Sequence, residues 1–427
     1  MNLTPEQREL GRRNFLKALA GTPALAALGG AIAWKGPVTG GPVRVGFIGV
    51  GTQGRALLGV TGPPFADVRA LCDINPTSLQ KADEVLATNK QPPARHYAEW
   101  QDMLQKEDIE AVVMAPPLWK HAELASGCLE AGKHVLCEKM MAWDAEGCER
   151  MRAAAQASNR VLEIGYQRFY SALYQSAYEG IIKAGVLGDI YHSRLAWHRN
   201  GNWRRQGEPP SKDYDPSKWG YPTFEHLLNW RLYWKYSQGL FAELASHQLN
   251  VANWFFDSKP EAVSASGGVY RFKDGREVYD HVYGTFEYPH GRTAVFSSIE
   301  SNAFDDYYEM FMGTKGTLII IREVEALLFE EGNGERSTSV AVSARGEGPA
   351  AETTETQPAN RPGGPTTAAR AEGQVDRRAS SRSEVERFCA AVRVGTPIAC
   401  GPDRAIGSAV ACTLANHAIE KKTRLTV

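Results

Sequence analysis

Short apolar runs of strand length recur through the first part of the chain, at residues 43–48, 68–73, 111–115, 135–137 and 161–164. Stretches with helical spacing, among them 121–131 and 142–158, lie between them. Strand and helix in strict alternation predict a parallel sheet covered on both faces. Beyond residue 165 the pattern changes. Segments 189–197, 262–272, 278–287, 293–300, 307–313 and 317–322 alternate or are rich in β-formers, and Lys273-Asp274-Gly275 and Pro289-His290-Gly291 supply turn signals between some of them. Two helices, about 176–184 and 240–256, interrupt what reads as a large, mostly antiparallel sheet. The fold class is therefore α/β, a Rossmann doubly wound parallel sheet followed by an α+β domain.

From 331 to 379 Gly, Pro, Thr, Ala and isolated charges follow one another without hydrophobic period, which predicts a disordered or loosely packed insertion. Segments 383–394 and 403–421 regain helical spacing and are expected to pack back on the body. The expected organisation is a leader and linker over 1–42, a nucleotide-binding domain over 43–165, a substrate and oligomerisation domain over 166–330, the insertion over 331–379 and C-terminal helices over 380–427.

The leader has its own signature. Arg12-Arg13-Asn14-Phe15-Leu16-Lys17 precedes a bland apolar run, 18–33, and the two together read as a twin-arginine export address. The run contains Gly21, Pro23, Gly29 and Gly30 and spans 16 residues, short of the ~20 a membrane helix needs. Ala31-Ile32-Ala33 offers a small-x-small cleavage site. A periplasmic or other extracytoplasmic location is expected, with the export machinery as a partner; left uncleaved, the run would anchor the protein to the membrane.

A length of 427 residues suits two domains and a linker. Lys plus Arg number 48 against 49 Asp plus Glu, a net charge of −1, so no global field favours nucleic acid or an anionic membrane. A small neutral ligand fits better. The seven cysteines, Cys72, Cys128, Cys137, Cys148, Cys389, Cys400 and Cys412, form no Cys-x-x-Cys pair and sit mostly among apolar neighbours. They read as buried free thiols, and no metal site is expected.

Candidate chemistry begins at Gly49-Val50-Gly51-Thr52-Gln53-Gly54. Three glycines in this spacing are weak evidence alone, but here a strand precedes them, a helix follows, and Asp73 ends the next strand 19 residues beyond Gly54. Gly49 permits the tight turn, Gly51 lets the backbone approach a pyrophosphate, and Gly54 brings helix close to strand, with the helix N-terminus facing the phosphates. Asp73 would accept hydrogen bonds from ribose hydroxyls and repel a 2′-phosphate, which favours NAD over NADP. Glu138-Lys139 closes another strand, where side chains point into the crevice of such folds.

In the second domain Glu243, His247 and Asn250 stand at i, i+4 and i+7 and share one helical face. Oxidising an alcohol by hydride loss requires the hydroxyl proton to leave as the C–H bond breaks. Histidine, with an ordinary pKa of about 6.5, can accept it, and a lysine ammonium can stabilise developing alkoxide. Glu243 would orient His247 or bind a neighbouring hydroxyl. Five of the ten tryptophans lie between Trp197 and Trp234, interleaved with Asn200, Arg204, Arg231 and other polar residues. Such flat faces and planar donors suit a polyhydroxylated ring, with interdomain or subunit packing as the alternative. The absence of a repeating basic stripe argues against nucleic acid.

In combination these motifs resemble the glucose-fructose oxidoreductase and inositol dehydrogenase family, Gfo/Idh/MocA. The likeness covers about 43–322 and the C-terminal helices. It is carried by the glycine turn, Ala115-Pro116-Pro117 with His121, Glu138-Lys139, Gly165-Tyr166-Gln167-Arg168, Gly185-Val186-Leu187-Gly188 and residues 239–250. The resemblance implies that Lys139 contacts both the nicotinamide ribose and the reacting hydroxyl, with Glu138 helping to place it. It adds Pro116, His121 and Glu138 to Gly49, Gly51, Thr52, Gln53, Gly54 and Asp73 on the cofactor side. Lys139, His247 and Glu243 become the catalytic candidates, and Arg168, Trp197, Asn200, Arg231 and Asn250 the substrate candidates. Two departures stand out: Met140 replaces the proline that usually follows the Glu-Lys pair, and Asn250 replaces an aspartate. The expected activity is hydride transfer between a tightly bound NAD and a hydroxyl of a sugar or polyol, in a homo-oligomer. Redox-assisted glycoside cleavage or elimination is one alternative, and a binding protein without turnover is another.

Overall fold

The computed structural model describes residues 3–20, 40–331 and 367–427. The expected cleavage site at Ala31-Ile32-Ala33, most of the apolar leader run and most of the insertion lie outside the described residues.

In chain order the elements are α1 (Pro5–Ala20), β1 (Val43–Ile48), α2 (Thr52–Leu58), β2 (Ala66–Cys72), α3 (Pro76–Thr88), β3 (Arg95–Tyr97), α4 (Trp100–Lys106), β4 (Ala111–Met114), α5 (His121–Glu130), β5 (His134–Glu138), α6 (Ala145–Ser158) and β6 (Leu162–Gly165). There follow α7 (Ala172–Ala177), β7 (Ile190–His198), α8 (Phe224–Leu228), α9 (Ser246–Phe256), β8 (Ala262–Gly268), β9 (His281–Tyr288), β10 (Arg292–Ile299), β11 (Tyr307–Gly313), β12 (Gly316–Ile321), β13 (Glu325–Glu330), α10 (Thr367–Val394), α11 (Pro402–Lys421) and β14 (Leu425–Thr426).

Among the described residues the first sheet has six parallel strands in the order β3-β2-β1-β4-β5-β6. The order reverses between β1 and β4, and the crevice at such a switch point, beyond the carboxyl ends of the strands, is where these sheets hold ligands. The strands are apolar because helices cover both faces: β4 is buried along its whole length. The second sheet runs β13-β12-β11-β7-β10-β9-β8-β14 and is antiparallel except where β10 lies parallel to β7. Helix α9 is buried at every position between this sheet and α11, whose alanines Ala409, Ala411, Ala415 and Ala418 permit the close approach. Helix α10 returns to the first domain, where Val385, Phe388 and Cys389 join the core of Val43, Phe47, Val113 and Leu136.

Three features depart from the sequence reading. Helix α10 begins at Thr367, inside the stretch read as irregular through 379, because Ala, Arg, Glu and Gln favour helix without any hydrophobic period. Three strands go unpredicted: β3 and β14 are only three and two residues long, and Glu-Ala-Leu-Leu-Phe-Glu of β13 neither alternates nor runs long. Finally, the leader is not separate from the fold. Helix α1 carries Arg12 and Arg13 and lies along β13 with Gly11, Phe15 and Leu19 buried. A Cβ on Gly11 would stand 2.8 Å from the Phe329 ring, so glycine sets this approach, and Arg8 and Arg12 pair with Glu325. No described helix is long and apolar enough to cross a membrane.

Candidate active site

The glycine turn assigns each glycine a separate task. Gly49 sits at φ +79° and donates to the Cys72 carbonyl at 2.8 Å; a Cβ there would lie 2.7 Å from the Pro116 nitrogen. A Cβ on Gly54 would come within 2.0 Å of the Gly49 oxygen, so this glycine fixes how closely α2 meets β1. At Gly51, the residue that caps α2, a Cβ would meet nothing within 4 Å. The middle glycine therefore opens onto free space at a helix N-terminus, the arrangement a pyrophosphate requires. Thr52 and Gln53 are exposed beside it.

Asp73 follows β2 and accepts hydrogen bonds from the backbone N–H groups of Val50 and Asn75, both at 2.8 Å. Burial pushes its carboxyl up to about 6 against the pull of these two donors. Gly49, Asp73 and Pro116 share a chamber of about 370 Å³ at the carboxyl ends of β1, β2 and β4. These residues fit the adenosine half of a dinucleotide.

Strand β5 delivers Glu138 and Lys139 a short distance along the same crevice. The Glu138 carboxylate, 9% exposed, accepts from Gln53 Nε2 at 2.6 Å and from the Lys139 N–H at 3.1 Å. Burial raises its pKa, opposed by the Lys139 charge. The Lys139–Met140 peptide, at the position where the resemblance leads one to expect proline, is cis. Lys139 Nζ donates across the domain boundary to the main-chain oxygen of Glu243 at 3.0 Å and stands 3.9 Å from its carboxylate. His121 is buried with its ring nitrogens 2.9 Å from the Met140 oxygen and 3.1 Å from the Pro116 oxygen. It ties together the loops after β4 and β5.

The second domain supplies the opposite wall. Glu243 lies in a π-turn, Phe241–Ala245, that leads into α9, and Arg231 Nε donates to its carboxylate at 3.0 Å. Burial raises the Glu243 pKa, but Arg231 and Lys139 outweigh it and the net shift is downward. His247 lies 6.0 Å from the Tyr166 ring and 5.9 Å from Trp197, centroid to centroid. Lys139, Glu243, His247, Trp197 and Arg231 all line one cavity of about 260 Å³. An ammonium from one domain and an imidazole from the other thus face the same space.

Three substrate candidates fall outside it. Arg168 is 2% exposed and is held by Glu309, Tyr307 and Glu323 beneath Trp197, so its charge is spent on a buried ion cluster rather than on a ligand. Asn250 is 1% exposed and its amide donates to Ser408 of α11 at 3.3 Å. The wide π-turn breaks the 3.6-residue phase, so the face carrying Glu243 does not continue to position 250. Asn200 is exposed and pairs with Ser301 away from the cavity. Conversely, Gln167 and Trp230 line the cavity without having been singled out. Gln167 stands one residue before Arg168 in a recognisable motif, and the turn over Gln167–Tyr170 decides which of the two faces in.

Both domains are similar to known proteins. A model described as an oxidoreductase family with an NAD-binding Rossmann fold matches residues 43–166, and the GFO/IDH/MocA C-terminal domain matches 177–319, together more than half of the chain. A glycosyl hydrolase family 109 protein of Shewanella baltica is 28% identical over 239 residues, covering 45% of this chain and 50% of that protein. Inositol 2-dehydrogenase of Salmonella typhimurium is 30% identical over 192 residues, 44% and 54% of the two chains. The chain thus aligns with about half the length of these relatives. In fold, the WlbA dehydrogenase of Bordetella pertussis, solved with NADH and UDP-GlcNAcA, superposes with a TM-score of 0.66 at 19% identity, over 92% of this chain and 99% of that one. The chain belongs to the Gfo/Idh/MocA oxidoreductase family and carries that family's NAD-binding Rossmann domain.

Proposed function

We propose that the protein oxidises or reduces a hydroxyl-bearing carbon of a sugar, sugar derivative or polyol, using an NAD that stays bound between turnovers. The observation that carries this reading is the meeting of Lys139, Glu243 and His247 around one cavity beside the glycine turn. Bound NAD supplies the hydride acceptor or donor. His247 takes the hydroxyl proton as the carbon–hydrogen bond breaks, and the Lys139 ammonium stabilises the oxygen as negative charge develops on it. Glu243 holds Arg231 and, through its main-chain oxygen, Lys139. Trp197 offers a flat wall for ring C–H groups, stacked from behind on Tyr307 at 4.0 Å.

Export supports retention of the cofactor. The Arg12-Arg13 pair ahead of an apolar run is the mark of a route that carries folded proteins, and NAD lost outside the cytoplasm would not be replaced. A second substrate would then return the enzyme to its starting redox state in a ping-pong cycle. The test is to purify the protein without added nucleotide, release and identify what it carries, and screen sugars and polyols for reduction of that pool. Protein that dialyses free of nucleotide and regains activity only with added NAD would defeat the retention reading.

A second reading rests on the family 109 glycosyl hydrolase relatives. Transient oxidation of a ring hydroxyl acidifies the adjacent C–H; loss of that proton expels the leaving group, water adds to the resulting double bond with a solvent proton returning to the same carbon, and the hydride then reduces the carbonyl. Net glycoside cleavage with solvent deuterium at the carbon next to the oxidised centre would favour it.

A further inference from the structure

The segment over 199–237, between β7 and the π-turn, belongs to the second domain in sequence but reaches across to the first. Tyr214 donates its hydroxyl to the Ile74 oxygen at 2.9 Å, just beyond Asp73. Trp219 Nε1 donates to Glu99 at 3.2 Å, and Trp119 Nε1 donates to the Tyr221 hydroxyl at 2.8 Å. The Trp119 ring packs edge-on against Tyr221 and Tyr236 at 5.6 and 5.3 Å. Gly220, at φ +87°, brings the chain so near that a Cβ would stand 2.7 Å from the Trp119 ring. Its base is anchored by Arg204 on Asp274, which also binds Arg276, while Arg204 pairs within the segment with Glu225.

These contacts enclose something. The 370 Å³ chamber that begins at Gly49 and Asp73 has Trp219, Gly220 and Tyr221 as its far wall. Its remaining sides include Ile74, Pro117 and Trp119. Aromatic faces at Trp119, Trp219 and Tyr221 stand across from the Asp73 carboxylate, with Glu99, Glu123, Lys120 and Lys218 also on the lining, and flat faces beside a carboxylate suit a base attached to a ribose diol.

We propose that the 199–237 segment forms the outer wall of the adenosine subsite, and that the nucleotide leaves only when this strap lifts from Ile74, Glu99 and Trp119. The proposal deepens the retained-cofactor reading and rests on it. It assigns Tyr214, Trp219 and Tyr221, residues of the substrate domain, to cofactor retention.

The experiment uses the full chain loaded with NADH and chased with a large excess of NAD⁺, following loss of bound NADH fluorescence. The variants are Trp219→Ala, which removes the wall and the Glu99 bond, and Tyr214→Phe, which removes a single hydroxyl and keeps the ring. Slow release from the unaltered protein, at least tenfold faster from Trp219→Ala and severalfold faster from Tyr214→Phe, is the expected result. Slow release that neither folded variant accelerates would overturn the strap while leaving retention intact. Release from the unaltered protein within the mixing time would overturn retention and the strap together. Should Trp219→Ala fail to fold, Tyr214→Phe decides alone.

Discussion

Replacing Gly51 and Gly54 one at a time with alanine separates binding from folding within a single turn. Gly51 has φ −61° and ψ −161°, at the edge of the extended region and without the positive φ that disfavours alanine, and its added methyl meets nothing within 4 Å. Losing a glycine from the unfolded chain stabilises by about 0.4–1 kcal/mol, and alanine is a poorer helix N-cap than glycine by a similar amount. The two effects oppose each other, so the thermal midpoint of nucleotide-free protein is expected to stay close to that of the unaltered chain. The free space that tolerates the methyl is where the pyrophosphate would lie. Displacing the phosphates from two backbone N–H groups loses about 1.5–3 kcal/mol each, a rise in Kd of roughly 10²–10⁴. At Gly54 the methyl would sit 2.0 Å from the Gly49 oxygen, at least 1 Å too close, and α2 must back away from β1. That overpacking costs about 1–3 kcal/mol and lowers the thermal midpoint as well as affinity. Thermal denaturation without nucleotide, paired with NADH fluorescence titration, reads both quantities. Gly51→Ala protein that binds NADH within threefold of the original would refute the assignment of this turn to the pyrophosphate.

Three further outcomes follow from the site. Asp73 is raised from 3.8 to about 6 by burial, and only its carboxylate can accept from both ribose hydroxyls. NAD affinity should therefore be full above pH 7 and weaken about tenfold per unit as pH falls below 6. Calorimetric titration across pH 5–8 checks this, with Asp73→Asn giving a flat profile. Lys139→Met and His247→Asn should each lower the rate of hydride transfer by roughly 10²–10⁴, with bound nucleotide still measurable, in single-turnover assays; a loss under fivefold for either would remove it from the chemistry. Arg168→Met strands Glu309 and Glu323 in the core, and breaking such a buried cluster costs about 3–5 kcal/mol. Urea unfolding should show that loss, and an unchanged midpoint with a raised KM would return Arg168 to the substrate side.

The Rossmann half was legible because its signals are local: apolar runs between helices, a glycine turn, and an acid at the end of the next strand. Each follows from the geometry of one strand–turn–helix unit. The second sheet was legible for the same reason, strand by strand, apart from β13 and the two-residue β14. What failed were statements about direction. Gln167 and Arg168 are adjacent, and only the turn that follows β6 decides which of them faces the cavity. Asn250 shares an ideal helical face with Glu243, but the π-turn over Phe241–Ala245 removes that continuity. The docking of α1 on β13 and of Tyr221 on Trp119 joins residues far apart in sequence, which no periodicity encodes. The resemblance supplied the pairing of Lys139 with His247, and their shared cavity depends on how the two domains meet.

Lys139 leaves β5 in the first domain, yet its Nζ is held by the Glu243 main chain in the second. Glu243 stays ionised because Arg231 and Lys139 more than offset its burial, while Glu138, on the other flank of Lys139, is pushed the opposite way. The two carboxylates therefore have different settings: Glu243 is an anion held beside Arg231 and Lys139, and Glu138 accepts from Gln53 of the glycine turn. The links to the Lys139 ammonium, from the Glu243 main chain and carboxylate, thus cross the domain boundary, while its backbone N–H is held by Glu138 within the first domain. The 199–237 segment crosses the same boundary through Tyr214 and Trp219, beside Asp73. Parting the domains far enough to release a dinucleotide would draw Lys139 away from Glu243, so a chain that kept its cofactor throughout turnover would also keep its catalytic groups aligned.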